Sequence, residues 1–197
     1  TRAVTANMLK FKNNTELLKF IDSNEIQFID MNFTDMRGTW HHTTEHVSVF
    51  DDNVLKNGLF FDGSSIAGWK EIHESDMTIM PDIHKVCADP FAAQKTIKIF
   101  CDVYDPSTGK PYNRDPRYVA RAAEEYLKKS GIGDNAYFGP EAEFFIFEDV
   151  KINVEMHHVG FKIDSEEGPY NSGRHYDTGN SGHRPGIKGG YFPESPV

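Results

Sequence analysis

The chain has 197 residues, of which 38% are hydrophobic, 13% aromatic and 26% charged, and its net charge is −9. That is enough apolar material for one large domain or two small ones, and too much for wholesale disorder. The acidic balance, with no Lys/Arg cluster, excludes nucleic acid and anionic membrane surfaces as partners, and it suits metal cations.

Residues 1–14, TRAVTANMLKFKNN, read as an N-terminal extension without an apolar signal core. Leu17, Leu18 and Ile21 then recur at helical spacing, which predicts a helix over 15–24 capped by Asn14 or Thr15. IQFIDMNF (26–33) and TWHHTTEHVSVF (39–50), joined by TDMRG, predict a β-hairpin. DDNVLKNG (51–58) predicts a short helix stopped at Gly58. In TIKIFCDVY (96–104), Ile97, Ile99, Cys101 and Val103 alternate with Lys98, Phe100, Asp102 and Tyr104, as on a strand with one buried face. The turn-rich DPSTGKPYNRDP is the expected domain boundary. After it comes the clearest helix, with Asp115 as N-cap, Pro116 in the first turn, Lys128 and Lys129 in the last and Gly131 beyond. AYFGPEAEFFIFEDV and INVEMHHVGFKID read as strand-like runs, and a Gly-rich tail follows. Cys87 and Cys101 lack metal-type spacing and read as free thiols of a reducing compartment. No apolar run is long enough for a membrane span, so the expected location is cytoplasmic.

Three segments could carry chemistry. In GPEAEFFIF (139–147), a strand would set Glu141 and Glu143 on one face, about 7 Å apart, with Phe144 and Ile146 free to bury on the other. Two like charges on one face call for a cation, and Mg²⁺ or Mn²⁺ prefers carboxylate oxygens. A solvent-facing edge bearing two acids is the plainer reading. A glycosidase carboxylate pair ranks lower, because such acids usually come from separate elements. In FDGSSIAGWKEIHESDMTIMPD (61–82), Gly63 and the serines fix a turn that presents Asp62. On motif physics alone this is an ordinary Asp-Gly turn. GHRPGIKGGYF (182–192) lacks G-x-x-x-x-G-K-[ST], so it is not a P-loop. Its Arg184 and Lys188 could face an anion and Tyr191 could line a pocket, with a plain surface loop as the equal alternative. The histidine pairs at 41–42 and 157–158 have no metal-ligand spacing and read as strand or surface residues.

These motifs, together with DPRYVARAAEEYL and in this order, closely resemble the N-terminal part of bacterial type I glutamine synthetases. The resemblance implies an α+β fold: a β-grasp domain over 15–108, then, over 109–197, the first part of a catalytic α/β domain built on a curved antiparallel sheet. It implies ATP-dependent ligation of ammonia to glutamate through a γ-glutamyl phosphate. It also implies a ring-forming homo-oligomer, a dodecamer at full length, with each active site shared between neighbouring subunits. Carried over by position, Glu141 and Glu143 would each bind a divalent ion (Mg²⁺ or Mn²⁺). Asp62, reaching in from the neighbouring subunit, would deprotonate ammonium, and Ser65 and Tyr191 would complete the ammonium pocket. The family's other metal, ATP and glutamate ligands would lie beyond Val197, so the expectation is that these residues alone are inactive. A non-catalytic scaffold and a γ-glutamyl-amine ligase of the same fold are the alternatives, and the triad of Asp62, Glu141 and Glu143 speaks against the scaffold.

Overall fold

The computed structural model describes residues 8–71, 75–166, 168, 171–175 and 177. The chain divides into two compact units, residues 1–137 and 138–197.

In the first unit, helix α1 (Asn14–Ser23) precedes strands β1 (Phe28–Thr34) and β2 (Trp40–His46). Helix α2 (Asp52–Asn57) and strand β3 (Leu59–Asp62) follow. Strands β4 (Asp76–Ala88), β5 (Thr96–Asp105) and β6 (Lys110–Pro111) and helix α3 (Pro116–Ser130) complete it. The sheet runs β2-β1-β5-β4-β3, with β6 paired to β5. β1 and β5 are parallel at its centre, while β1–β2, β4–β5 and β3–β4 are antiparallel. The predicted hairpin over 26–50 and the alternation over 96–104 are both present. Ile97, Ile99, Cys101 and Val103 are fully buried, and they share a core with Ile29, Met31, Met77, Ile79, Val86 and Leu17 of α1.

The caps follow from side-chain chemistry. Asn13, one residue before the expected Asn14 or Thr15, caps α1 by accepting the Glu16 N–H at 2.9 Å. Asn14 is instead engaged elsewhere, donating to Asp52 at 3.0 Å. Asp51 caps α2, which stops at Gly58 with φ 72° and ψ −169°. Asp115 caps α3 and Gly131 ends it in the left-handed region, both as the sequence predicts.

α3 belongs to the first unit and is tied to the sheet by charge. Arg117 donates to Asp102 at 2.7 Å and to Asp82 at 2.6 Å, and Arg121 donates to Asp102 at 2.6 Å. Asp115, only 1% exposed, also accepts the Val103 N–H of β5 at 3.0 Å. Burial pushes its carboxyl pKa up, against the pull of these backbone donors.

β4 has no counterpart in the sequence reading. Pro81, Asp82, His84 and Lys85 interrupt its apolar pattern, and its pairing with β5 shifts register between Pro81 and Val86. Such a bulge breaks strict alternation while the ladder continues on both sides.

In the second unit the described elements are strands β7 (Asp149–Glu155) and β8 (His158–Asp164), an antiparallel hairpin. The run INVEMHHVGFKID therefore folds back on itself at Met156–His157. The expected strand over 139–147 is absent: these residues carry no strand ladder, and Phe144, Phe145 and Ile146 are 79%, 79% and 73% exposed. An extended segment becomes a strand only when another strand satisfies its N–H and C=O groups, and among the described residues none pairs with it.

Candidate functional site

Asp62 closes β3, and its position is set from both sides. Upstream, Gly58 launches the strand through a backbone conformation open essentially to glycine. Downstream, Gly63 is buried, and its N–H donates to the Ser75 carbonyl at 2.7 Å. A Cβ at Gly63 would lie 2.4 Å from Met77 Cγ, so the turn at Gly63–Ser65 can press against β4 only because residue 63 has no side chain.

The Asp62 carboxylate caps this turn. Its Oδ1 accepts the Ser64 N–H at 2.8 Å and the Ser64 hydroxyl at 2.6 Å. The Ser64 hydroxyl bond, followed by the backbone bond, holds the Asp62 pKa below the ordinary carboxylate value, against a smaller opposing effect of desolvation. Asp62 and Ser65 are both exposed. An ionised, oriented, accessible carboxylate is able to attract a cation and to accept a proton from it.

Large side chains hold the loop down. Ile66 and Trp69 are buried, at 7% and 5% exposure. The Trp69 ring lies 5.7 Å from Phe33, 6.2 Å from Phe61 and 5.3 Å from Tyr112. Tyr112 Oη donates to the Trp69 carbonyl at 2.8 Å, and Arg114 donates to the carbonyl of Gly68. Lys70 meets Asp105 at 2.7 Å, and that bond, with those from Ser107, lowers the Asp105 pKa to about 2. Phe60, on the other face of β3, is 74% exposed. The mixture of residue types in this stretch thus divides into an anchoring set and a presenting set.

Two further participants carry no local sequence signal. The Ser64 hydroxyl, expected to bond its own turn, goes to Asp62. Asp76 stands directly across from Asp62 in the β3–β4 register. The intervening loop hides that juxtaposition from any local pattern.

Glu141 and Glu143 lie in the second unit, both exposed and outside any strand. Phe145 and Phe147 stack at 6.1 Å with their rings 8° apart, which keeps these alternate side chains together even without a strand. Among the described residues, no three His, Cys, Asp or Glu side chains gather as a metal centre would require. The two glutamates are suitable donors for a hard divalent ion, but such an ion takes about six oxygens. Tyr191, Arg184 and Lys188 lie outside the described residues. Both thiols are free, and burial raises the pKa of each. No described helix is long and apolar enough to cross a membrane.

Two family models match the chain. The one described as the glutamine synthetase β-grasp domain covers residues 25–106, and the one described as the glutamine synthetase catalytic domain covers 113–197. The chain belongs to the glutamine synthetase family. The mixed sheet of the first unit is accordingly the family's β-grasp domain, within a mixed α+β fold. Glutamine synthetase of Azospirillum brasilense is 56% identical over 93% of this chain and 39% of its own length. That of Rhizobium meliloti is 54% identical over 92% and 39%. A relative from Cupriavidus pinatubonensis named 3-hydroxylaminophenol mutase is 50% identical over the same shares. The solved Plasmodium falciparum glutamine synthetase superposes with a TM-score of 0.62 at 25% identity, covering 81% of this chain and 31% of that one. The chain thus spans about 40% of the length of the curated relatives it matches.

Proposed function

We propose that this chain is part of a glutamine synthetase that joins ammonia to glutamate at the expense of ATP, through a γ-glutamyl phosphate. The observation that carries the reading is Asp62: a carboxylate held ionised and outward on a turn braced by Gly63, Ile66 and Trp69. Ammonium is a cation that must lose a proton before it can attack a carbonyl. An ionised Asp62 draws it in and accepts that proton, leaving ammonia as the nucleophile. Ser65, beside it on the same turn, and Tyr191 are assigned to the same pocket.

Glu141 and Glu143 are assigned to two divalent ions, Mg²⁺ or Mn²⁺, with further ligands supplied from elsewhere. When bound, such ions neutralise charge that develops during phosphoryl transfer. The two carboxylates would hold and orient those ions. The remaining assignments are glutamate and ATP as co-substrates, a cytoplasmic location and a ring-shaped homo-oligomer in which Asp62 serves a neighbouring subunit.

The test is turnover by the full-length protein carrying this sequence, supplied with glutamate, ATP and Mg²⁺ or Mn²⁺. Ammonium-dependent formation of glutamine, matched one for one by phosphate release, is expected. Because one relative bears the name of a mutase, 3-hydroxylaminophenol is included as a competing substrate. Its conversion without glutamine formation would overturn the proposal, as would phosphate release that requires a larger amine.

A further inference from the structure

We propose that Ser64 is a positioning residue for Asp62, its hydroxyl and backbone N–H together clamping one carboxylate oxygen so that the other is aimed at the incoming ammonium. The inference rests on the proposed role of Asp62 and extends it to a residue with no assigned part.

The geometry is specific. Both Ser64 donors converge on Oδ1, at 2.6 Å and 2.8 Å. Two bonds to one oxygen fix both side-chain torsions of Asp62, and among the described residues Oδ2 takes no hydrogen bond. The clamp is itself braced: Gly63 is bonded to Ser75, and the Ile66 N–H donates to the Gly63 carbonyl at 3.2 Å. Ser65 makes no such bond to Asp62 among the described residues, so the two serines do different work.

The arrangement also sets charge. Asp76 lies across the β3–β4 pair from Asp62. The Ser64 donors favour the charged form of Asp62, against a smaller effect of desolvation.

Ser64→Ala, Ser64→Thr and Asp62→Asn are compared in the full-length ligase. Ser64→Ala removes a hydrogen bond to a charged group and should lower kcat/KM for ammonium by about tenfold. The acid limb of its pH profile should move to higher pH, because the carboxylate loses a donor that favoured its charged form. KM for glutamate and for ATP should be unchanged. Ser64→Thr keeps the hydroxyl and should restore both the rate and the limb. The inference is overturned if Ser64→Ala matches the parent in rate and pH profile. It is also overturned if its losses fall equally on all three substrates, or if Ser64→Thr behaves like Ser64→Ala. A fully active Asp62→Asn would instead remove the underlying role of Asp62; loss of activity there beside a silent Ser64→Ala rejects the Ser64 clamp alone.

Discussion

Gly58→Ala tests whether the Asp62 strand is placed by backbone geometry. Gly58 has φ 72° and ψ −169°, a region that costs an L-residue about 1–3 kcal/mol. An added Cβ would stand 2.3 Å from the Ile79 carbonyl oxygen and 2.6 Å from Thr78 Cγ2. Ile79 is fully buried and is the ladder partner of Leu59, so the carbonyl cannot withdraw without parting β3 from β4. Overpacking of this kind adds about 1–3 kcal/mol. The expected total is about 2–6 kcal/mol, a large share of the ~5–15 kcal/mol that holds a domain together. For a unit of this size it corresponds to a fall in Tm of about 6–18 °C. Gly131→Ala is the internal control. Its φ is also 72°, but nothing lies within 4 Å of the new Cβ, so only the left-handed penalty of about 1 kcal/mol applies. Urea and thermal unfolding followed by circular dichroism measure both. Equal losses in the two variants would refute the claim that contact with β4, rather than φ alone, demands glycine at 58.

Further outcomes follow from the same structure. Asp115→Ala strips α3 of its cap and leaves the buried Val103 N–H unpaired, with an expected loss of about 2–4 kcal/mol in urea unfolding. Arg117→Met leaves Asp102 with Arg121 as its remaining cationic partner and should cost about 2–3 kcal/mol by the same measurement. Asp105, lowered from 3.8 to about 2, binds protons less readily folded than unfolded. Its contribution is therefore complete above about pH 4 and fades as pH falls to about 2. Asp105→Asn should flatten the acid decline in the urea midpoint across that window. These 197 residues alone should form no glutamine from glutamate, ammonium and ATP, since among the described residues no cluster of acids gathers the oxygens that a hard divalent ion takes.

The legible parts of the fold were those encoded by local chemistry. The α3 caps, the Gly58 stop and the alternation over 96–104 each require only neighbours in sequence. β4 was hidden because its bulge interrupts the period by which strands are recognised. The 139–147 segment failed for a different reason: alternation specifies which way side chains would point, while pairing depends on a partner that local pattern does not contain. At the site, motif physics favoured a plain turn at Asp62, and the resemblance gave that turn its chemistry. The Ser64 clamp and the Asp76 juxtaposition became visible only in the structure, since one needs a side-chain rotamer and the other a strand register.

Asp62→Asn in the full-length protein is the sharpest test of the proposed base, because it removes the charge and the proton acceptor while keeping the shape and the Oδ1 bonds to Ser64. General-base catalysis contributes about 10²–10⁴-fold. A fall in kcat/KM for ammonium of at least about 100-fold is expected, with KM for glutamate and ATP preserved. A variant that makes glutamine within about twofold of the parent rate, far inside that range, would contradict it.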